Sequence, residues 1–220
     1  MTKVIIYTGL SLPFEEAKEI LDSYDDVEVI YKRPIKRGDL SIALKEKPDI
    51  IGIIDGVFHQ SSAVAHKEIL EAINRGVKVY GASSMGALRA SELDSLGMKG
   101  IGYCYEQYAT GEVESDDDVA VMLDGDTLEP LSIPLISMRY VFNNAVDENI
   151  ISETQKDELL AIAKSTFYPK RNYGQILAES DLDGDTKGEL IDFIRQSEDI
   201  KKEDAKELIR HIKEVLESDY

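Results

Sequence analysis

The feature that most constrains the fold is a regular alternation of short apolar runs and amphipathic runs over residues 3–96. The apolar runs have the length and composition of strands, and they cover residues 4–7, 27–31, 49–54 and 77–80. Helical patterns follow them, starting near Phe14, Gly38, Ser62 and Met85. Strands that alternate with helices in this way imply βαβ crossovers and a parallel sheet. Residues 49–54 are the most apolar, so we expect a central strand buried on both faces.

The predicted architecture is an α/β fold with two regions. Residues 1–110 should form a flavodoxin-like parallel sheet with helices on both faces, and residues 97–102 are interpreted as a glycine-rich connection. Residues 111–220 should form an acidic loop and a mainly helical region packed on this core. Its predicted helices cover residues 136–146, 153–164, 173–178, 187–195 and 203–217.

The composition argues against several functional classes. A formal net charge of −18 would repel a phosphate backbone, so the composition argues against nucleic-acid binding. It favours basic proteins or peptides as partners. No apolar run approaches the roughly 20 residues of a membrane span, and the first residues show no signal-peptide pattern. We therefore expect a cytoplasmic protein. Cys104 is the only cysteine, which excludes an intramolecular disulfide and a thiolate metal cluster.

The turn between the fourth predicted strand and its helix carries a candidate nucleophile. Its sequence is Gly81-Ala82-Ser83-Ser84-Met85-Gly86, in which Ala82, Ser84 and Gly86 give a relaxed form of the nucleophile elbow. Ser84 would then lie at a helix N-terminus, where unpaired N–H groups favour an oxyanion. Because Gly86 lies two residues after Ser84, we predict that Ser84 rather than Ser83 faces the crevice. The alternative is that one of the two serines simply caps the helix.

Candidate bases lie near the loops that should meet beyond the carboxyl ends of the strands. His66 shares a helical face with Ile69, Leu70 and Ile73, so we expect it to point inward, either as a base or as a core histidine. Lys67 is a second candidate base or a solvated surface lysine. Asp55 would orient His66 or cap its own loop. We expect His66→Ala to remove most activity and Lys67→Met to have a smaller effect.

Binding groups are expected in the same crevice. The N–H groups around Gly9, Gly56 and Met85 would donate to a bound oxyanion, with Ser11 and Arg89 as further binding residues. The acidic run at residues 112–118 is interpreted as a solvated loop. It lacks the spacing of a calcium loop, and the chain shows no P-loop or Rossmann fingerprint. We therefore expect neither a metal nor a bound cofactor.

Several sequence blocks together resemble the TfuA-like family. They are Asp55-Gly56-Val57-Phe58, His66-Lys67-Glu68-Ile69-Leu70, Gly81-Ala82-Ser83-Ser84-Met85-Gly86-Ala87-Leu88-Arg89-Ala90, Asp116-Asp117-Asp118-Val119-Ala120-Val121, and Leu131-Ser132 with Arg139. The third block is highly specific, and the resemblance extends over residues 1 to about 175. One departure concerns Met122-Leu123, where many relatives are expected to carry a histidine.

The resemblance implies an accessory role in peptide-backbone thioamidation. Proteins of this family are understood to hydrolyse the C-terminal thiocarboxylate of a ubiquitin-like sulfur-carrier protein and to supply sulfide to a YcaO protein. The thioamidation substrate would be a protein such as methyl-coenzyme M reductase or a ribosomal peptide, and ATP would belong to the YcaO partner. Two alternatives stay open, namely a non-catalytic adaptor that recruits proteins to YcaO and a flavodoxin-like domain that binds a small molecule.

Overall fold

The structure is a computed structural model that describes residues 1–58, 62–122 and 130–218. The chain forms two compact units. Unit 1 comprises Met1–Glu114 and Ile200–Tyr220, and unit 2 comprises Ser115–Asp199. This division differs from the predicted regions 1–110 and 111–220, because the chain returns to unit 1 at residue 200. Leu123, part of the departure from the family pattern, lies outside the described residues.

Unit 1 is built on a five-stranded sheet with the order β2-β1-β3-β4-β5, and every neighbouring pair is parallel. This order and direction confirm the predicted flavodoxin-like sheet. The strands are β1 (Thr2–Tyr7), β2 (Val27–Lys32), β3 (Ile50–Ile53), β4 (Lys78–Ala82) and β5 (Lys99–Ile101). All four residues of β3 are buried, as predicted for the central strand. The interpretation of residues 99–101 as a connection is wrong, since they pair with β4.

The helices follow the predicted order, except that a helix over Tyr103–Ala109 was not predicted. Those of unit 1 are α1 (Phe14–Ile20), α2 (Asp39–Ala43), α3 (His66–Asn74), α4 (Met85–Leu93), α5 (Tyr103–Ala109) and α10 (Ile200–Ser218). Those of unit 2 are α6 (Leu135–Asp147), α7 (Glu153–Ser165), α8 (Tyr173–Glu179) and α9 (Gly184–Gln196). Helix α3 begins at His66 rather than near Ser62. None of the helices in the described part of the chain has the length and apolar composition needed to cross a membrane.

Alternating side chains of the sheet build a separate core on each face. Ile5, Tyr7, Ile51 and Ile53 pack in one buried cluster with residues of α2, α3 and α4. Their neighbours Val4, Ile6 and Ile50 belong to a second cluster with α1 and α10. This separation follows from the two-residue period of a strand. The prediction of helices on both faces is confirmed.

Helix α10 covers one face of the sheet by means of an apolar stripe. Its buried residues include Ala205, Leu208, Ile209, Ile212 and Leu216. Gly52 in β3 makes room for this helix, since a Cβ there would lie 3.0 Å from Ile212 Cδ1 and 3.1 Å from Leu208 Cδ2. The Asp204 carboxylate accepts hydrogen bonds from the N–H groups of Tyr103 (2.9 Å) and Cys104 (2.7 Å). Asp204 thereby ties α10 to the start of α5.

Unit 2 has its own apolar core and a set of buried charges. Its core is formed by residues of α6, α7, α8 and α9, with Ile151 and Leu182 between them. Arg171 is 1 % exposed and donates to the carbonyl oxygens of Ala163 (2.9 Å) and Thr166 (3.3 Å) and to the carboxylate of Asp117 (3.3 Å). These bonds compensate the cost of burying its charge.

The acidic run does not behave as a uniformly solvated loop. Asp118 is 3 % exposed, and its carboxylate lies 3.6 Å from Arg139 Nε. Burial raises the pKa of the Asp118 carboxyl, whereas the charge of Arg139 acts in the opposite direction. The prediction of a solvated loop is therefore wrong at Asp118. Sequence spacing could not predict the burial of Asp118, because its partner Arg139 lies on a different element, helix α6.

Candidate functional site

The candidate site lies at the edge of the sheet where the carboxyl ends of β1, β3 and β4 meet. In sheets of this order, ligands bind in the crevice outside these strand ends. Three stretches come together there, namely the loop after β1 with Gly9 and Ser11, Asp55 and Gly56 after β3, and the turn between β4 and α4. A Cβ on Gly56 would lie 2.6 Å from Met85 Cγ, so the backbone after β3 touches the first residue of α4.

The turn between β4 and α4 is unusually sharp. Ser83 has a φ of +67°, a left-handed conformation that is uncommon for residues other than glycine. The Ser84 N–H donates to the Ala82 carbonyl at 2.9 Å, which closes a three-residue γ-turn centred on Ser83. A γ-turn with positive φ at its central residue is rare and strained. Such strain persists only where the surrounding structure enforces it, and it concentrates at functional sites.

Two glycines hold this turn in place. A Cβ on Gly86 would lie 1.8 Å from the Ile53 carbonyl oxygen, and a Cβ on Gly81 would lie 2.2 Å from the Gly86 carbonyl oxygen. The Gly86 N–H also donates to Ile54 O at 3.2 Å. Helix α4 therefore starts directly against the sheet, at a distance that no other residue type would permit at these two positions.

The two serine hydroxyls have no partner within the described residues. Ser83 is fully buried, and its Oγ makes no hydrogen bond. Ser84 occupies the N-cap position of α4, but its side chain makes no capping hydrogen bond. The interpretation of this pair as a helix cap is therefore wrong. Buried polar atoms almost always have a hydrogen-bond partner, so the Ser83 hydroxyl requires an explanation.

The first N–H groups of α4 are available to an anion. Among the described residues, the N–H groups of Met85 and Ala87 have no acceptor, whereas those of Gly86 and Leu88 are bonded to Ile54 O and Ser84 O. Unpaired N–H groups and the positive end of the helix dipole together favour negative charge. The predicted role of the Met85 N–H as an oxyanion donor is compatible with this geometry.

Asp55 fixes the loop after β1 and does not orient His66. Its Oδ2 accepts from the N–H groups of Gly9 and Ser11, both at 2.9 Å, and its Oδ1 accepts from the Ser11 hydroxyl at 2.6 Å. Asp55 was predicted to orient His66 or to cap its own loop. Both predictions are wrong, because its hydrogen-bond partners lie in the loop after β1. The Gly9 N–H was predicted to donate to a bound oxyanion, and this prediction is wrong because the group donates to Asp55. Ser11, predicted as a further binding residue, likewise donates to Asp55.

His66 is not on the inward face of α3. Its side chain is 49 % exposed, and its Nε2 lies 2.7 Å from Glu92 Oε2. The buried residues of α3 are Glu68, Ile69 and Ala72, so the buried face is turned away from His66. Glu68 is buried because its carboxylate accepts from the N–H groups of Gly38 (2.8 Å) and Ala65 (3.3 Å). A hydrophobic pattern gives no signal for a buried acid of this kind.

His66 takes part in a contact between α3 and α4. Arg89 donates to the same Glu92 oxygen at 2.6 Å, and its Nε donates to the Val64 carbonyl at 3.1 Å. Glu92 lies in the last turn of this nine-residue helix, whereas Ser83 precedes its first turn, and nine residues span about 13 Å. The contact therefore lies at the far end of α4 from the serines. Lys67 is exposed and forms no ion pair within the described residues.

One sequence feature favours Ser83 over Ser84 as the nucleophile. Gly81 lies two residues before Ser83, which gives the first half of the nucleophile-elbow pattern for Ser83 rather than for Ser84. No group of three or more His, Cys, Asp or Glu side chains suited to a metal occurs among the described residues.

Comparison with known families agrees with these features. A family model for TfuA-like proteins matches residues 55–172, which is just over half of the 220-residue chain. No individual curated protein matches the sequence significantly. The matched region starts at Asp55 and contains the serine turn as well as the buried charges of unit 2. The chain belongs to the TfuA-like family, which links it to thioamidation and to YcaO partners in general.

Proposed function

We propose that the protein hydrolyses the C-terminal thiocarboxylate of a sulfur-carrier protein, with Ser83 as the nucleophile, and that the sulfide supports a YcaO partner. The observation that carries this proposal is the strained Ser83 with a buried hydroxyl that has no hydrogen-bond partner. A strained turn between a strand and a helix is the arrangement that presents a nucleophile in hydrolases of the α/β type. The family's link to thioamidation supports the choice of a sulfur-containing acyl substrate.

The reaction has two steps. In the first, Ser83 Oγ forms a bond to the carbonyl carbon of the thiocarboxylate, the carbon–sulfur bond breaks, and the serine proton passes to the departing sulfur, which leaves as hydrosulfide (HS⁻). In the second, water attacks the resulting ester, one of its protons returns to Ser83 Oγ as the carbon–oxygen bond to Ser83 breaks, and the carboxylate and a proton are released. The N–H groups of Met85 and Ala87 would stabilise the oxyanion of both tetrahedral intermediates.

Burial of Ser83 adds a requirement for access. Because the residue is fully buried, the carrier tail must displace a covering side chain before its carbonyl carbon reaches Oγ. Exclusion of water from the turn strengthens hydrogen bonds to the oxyanion. Binding of the carrier and opening of the turn are therefore coupled in this proposal.

The decisive experiment measures sulfide release from a thiocarboxylated carrier under single-turnover conditions. Ser83→Ala should lower the rate at least about 10³-fold, and Ser84→Ala, the matched control, should lower it less than about tenfold. If Ser84→Ala were the inactive variant, Ser84 would be the nucleophile, as the sequence spacing predicted. Full activity of both variants would exclude serine-centred hydrolysis.

A non-catalytic adaptor is the second candidate. The net charge of −18 favours it, since an acidic surface attracts basic faces of partner proteins. When free sulfide replaces the carrier, a hydrolase is no longer needed, but an adaptor still is. The test compares YcaO activity with free sulfide in the presence and absence of the Ser83→Ala protein. Higher activity when the variant is present would support the adaptor.

A further inference from the structure

A basic groove lies at the carboxyl ends of β1 and β2. Its cavity has a volume of about 380 Å³, and the residues that line it include Tyr7, Lys32, Arg33, Pro34, Lys36 and Asp39. Tyr7 and Lys32 are the last residues of β1 and β2, so the groove opens at the same edge of the sheet as the serine turn.

The charge of the groove contrasts with that of the chain. The sequence has 43 Asp and Glu residues against 25 Lys and Arg, yet Lys32, Arg33, Lys36 and Arg37 lie together with no acidic residue between them. Lys32 pairs with Glu46 at 2.5 Å. Arg33 and Lys36 are exposed and form no ion pair within the described residues. The groove therefore offers two cations to an incoming anionic group.

The acid that lines the groove is already engaged. Asp39 Oδ2 accepts from the Lys36 N–H at 3.0 Å, and the Asp39 carbonyl accepts from the Tyr7 hydroxyl at 3.4 Å. The first bond holds the carboxylate at the start of α2, and the second holds the Asp39 backbone. They fix the backbone that presents Lys36 without pairing the Lys36 ammonium group.

The groove is joined to the candidate site by direct contact. A Cβ on Gly9 would lie 2.7 Å from Pro34 Cγ, so the loop after β1 lies against the wall of the groove. The same Gly9 donates its N–H to Asp55 at 2.9 Å, and the Ile35 N–H donates to the Asp55 carbonyl at 2.9 Å. Asp55 and Gly56 thus link the wall of the groove to the serine turn, since Gly56 packs against Met85 at the start of α4.

We propose that the basic groove binds an acidic side chain in the extended C-terminal tail of the carrier protein, an inference that rests on the proposed function. Neighbouring strands are about 4.8 Å apart, so the groove at β1 and β2 lies about 10–14 Å from the end of β4 along the sheet edge. An extended chain advances about 3.3 Å per residue. The acidic residue should therefore lie about three to four residues before the reacting carbonyl.

The test uses fluorescence anisotropy with two labelled glycine-rich peptides at low ionic strength. One carries a single glutamate about four residues before its C-terminal carboxylate, and the other carries glutamine there. The double variant Arg33→Ala/Lys36→Ala should weaken binding of the glutamate peptide about three- to tenfold and leave the glutamine peptide unchanged.

Arg210 and Lys213 provide the matched control. They have the same residue types and the same spacing as Arg33 and Lys36, they are exposed, and they lie on α10. Arg210→Ala/Lys213→Ala should leave the affinity for both peptides unchanged. Equal affinities of the native protein for the two peptides, or an equal loss in the control variant, would overturn the proposal.

Failure of the groove and failure of the hydrolase give different results. The peptides end in an ordinary carboxylate, so their binding does not require hydrolysis. Ser83→Ala protein should bind the glutamate peptide as the native protein does. If the peptide binds through the groove but no sulfide is released, the groove proposal is supported and the hydrolase proposal is refuted. If sulfide is released at the same rate by the Arg33→Ala/Lys36→Ala variant, the hydrolase proposal is supported and the groove proposal is refuted.

Discussion

The turn between β4 and α4 and the loop after β1 lie at the same edge of the sheet, yet they treat buried polar groups in opposite ways. Asp55 accepts three hydrogen bonds from Gly9 and Ser11, and the residue is 5 % exposed. Ser83 is fully buried, its backbone is strained, and its hydroxyl has no partner among the described residues. The comparison separates a satisfied polar group that supports the structure from a strained, unpaired one, and the proposed role of Ser83 rests on this difference.

The largest expected effect comes from removing the Ser83 side chain. Ser83→Gly should lower single-turnover sulfide release at least about 10³-fold. It should also raise the free energy of unfolding by about 1 kcal/mol, because glycine adopts a positive φ without strain and the unpaired hydroxyl is gone. Urea unfolding measures the second effect. A loss of stability in Ser83→Gly would contradict the view of Ser83 as a strained residue.

Removing the satisfied carboxylate should mainly change stability. Asp55→Ala leaves the N–H groups of Gly9 and Ser11 without their acceptor, so the free energy of unfolding should fall by about 3 kcal/mol. Ser11→Ala, which removes only the hydroxyl bond, should cost about 1 kcal/mol. Urea titrations of both variants measure these losses. If Asp55→Ala were as stable as the native protein, the contrast with Ser83 would disappear.

Asp204 extends the comparison to a second satisfied carboxylate and makes it depend on pH. Burial raises the pKa of Asp204 from an ordinary value of 3.8 to about 6, although the bonds from Cys104 and Tyr103 act in the opposite direction. The folded state therefore binds this proton more tightly than the unfolded state. Its contribution to stability is fully present below pH 4 and is lost as the pH rises through 6.

The measurement is the free energy of unfolding between pH 4 and 7 for the native protein and for Asp204→Asn. The native value should fall by about 2–3 kcal/mol more over this range than the value of the variant. The variant removes this titration, while the many other carboxylates are common to both proteins. Parallel pH profiles would show that Asp204 has an ordinary pKa.

The smallest effect is expected at His66. Because its ring is half exposed and pairs with Glu92 at the far end of α4, His66→Ala should change sulfide release less than about threefold and stability by about 0.5 kcal/mol. Glu92→Gln, which removes the other half of the pair, should behave alike. Loss of most activity in a folded His66→Ala protein, but not in Glu92→Gln, would restore the sequence-based assignment of His66 as the base.

The sheet was predictable from the sequence because its strands are short apolar runs separated by helical patterns. The start of α4 at Met85 was predicted from the same alternation. Strand β5 was missed because it has only three residues, and Gly100 gives it no apolar pattern. Its identity as a strand comes from pairing with β4, a long-range contact that local composition does not encode.

The candidate site was predictable in position but not in detail. The turn after β4 and the loops beside it were predicted to meet, and the contact of Gly56 with Met85 agrees with this. The sequence could not decide between Ser83 and Ser84, because Gly81 has the elbow spacing to Ser83 and Gly86 has it to Ser84. The difference between them is the positive φ of Ser83, which spacing does not encode. The face of α3 depends on Glu68, whose burial follows from a hydrogen bond to Gly38.

The return of the chain to unit 1 has a consequence for synthesis on the ribosome. Helix α10 follows unit 2 in the chain, but it covers Val4, Ile6 and Ile50 on one face of the sheet. At a translation rate of about 5–20 residues per second, unit 2 delays the appearance of α10 by on the order of ten seconds. During that time the nascent sheet exposes an apolar face of the kind that chaperones bind, although its strands are already complete.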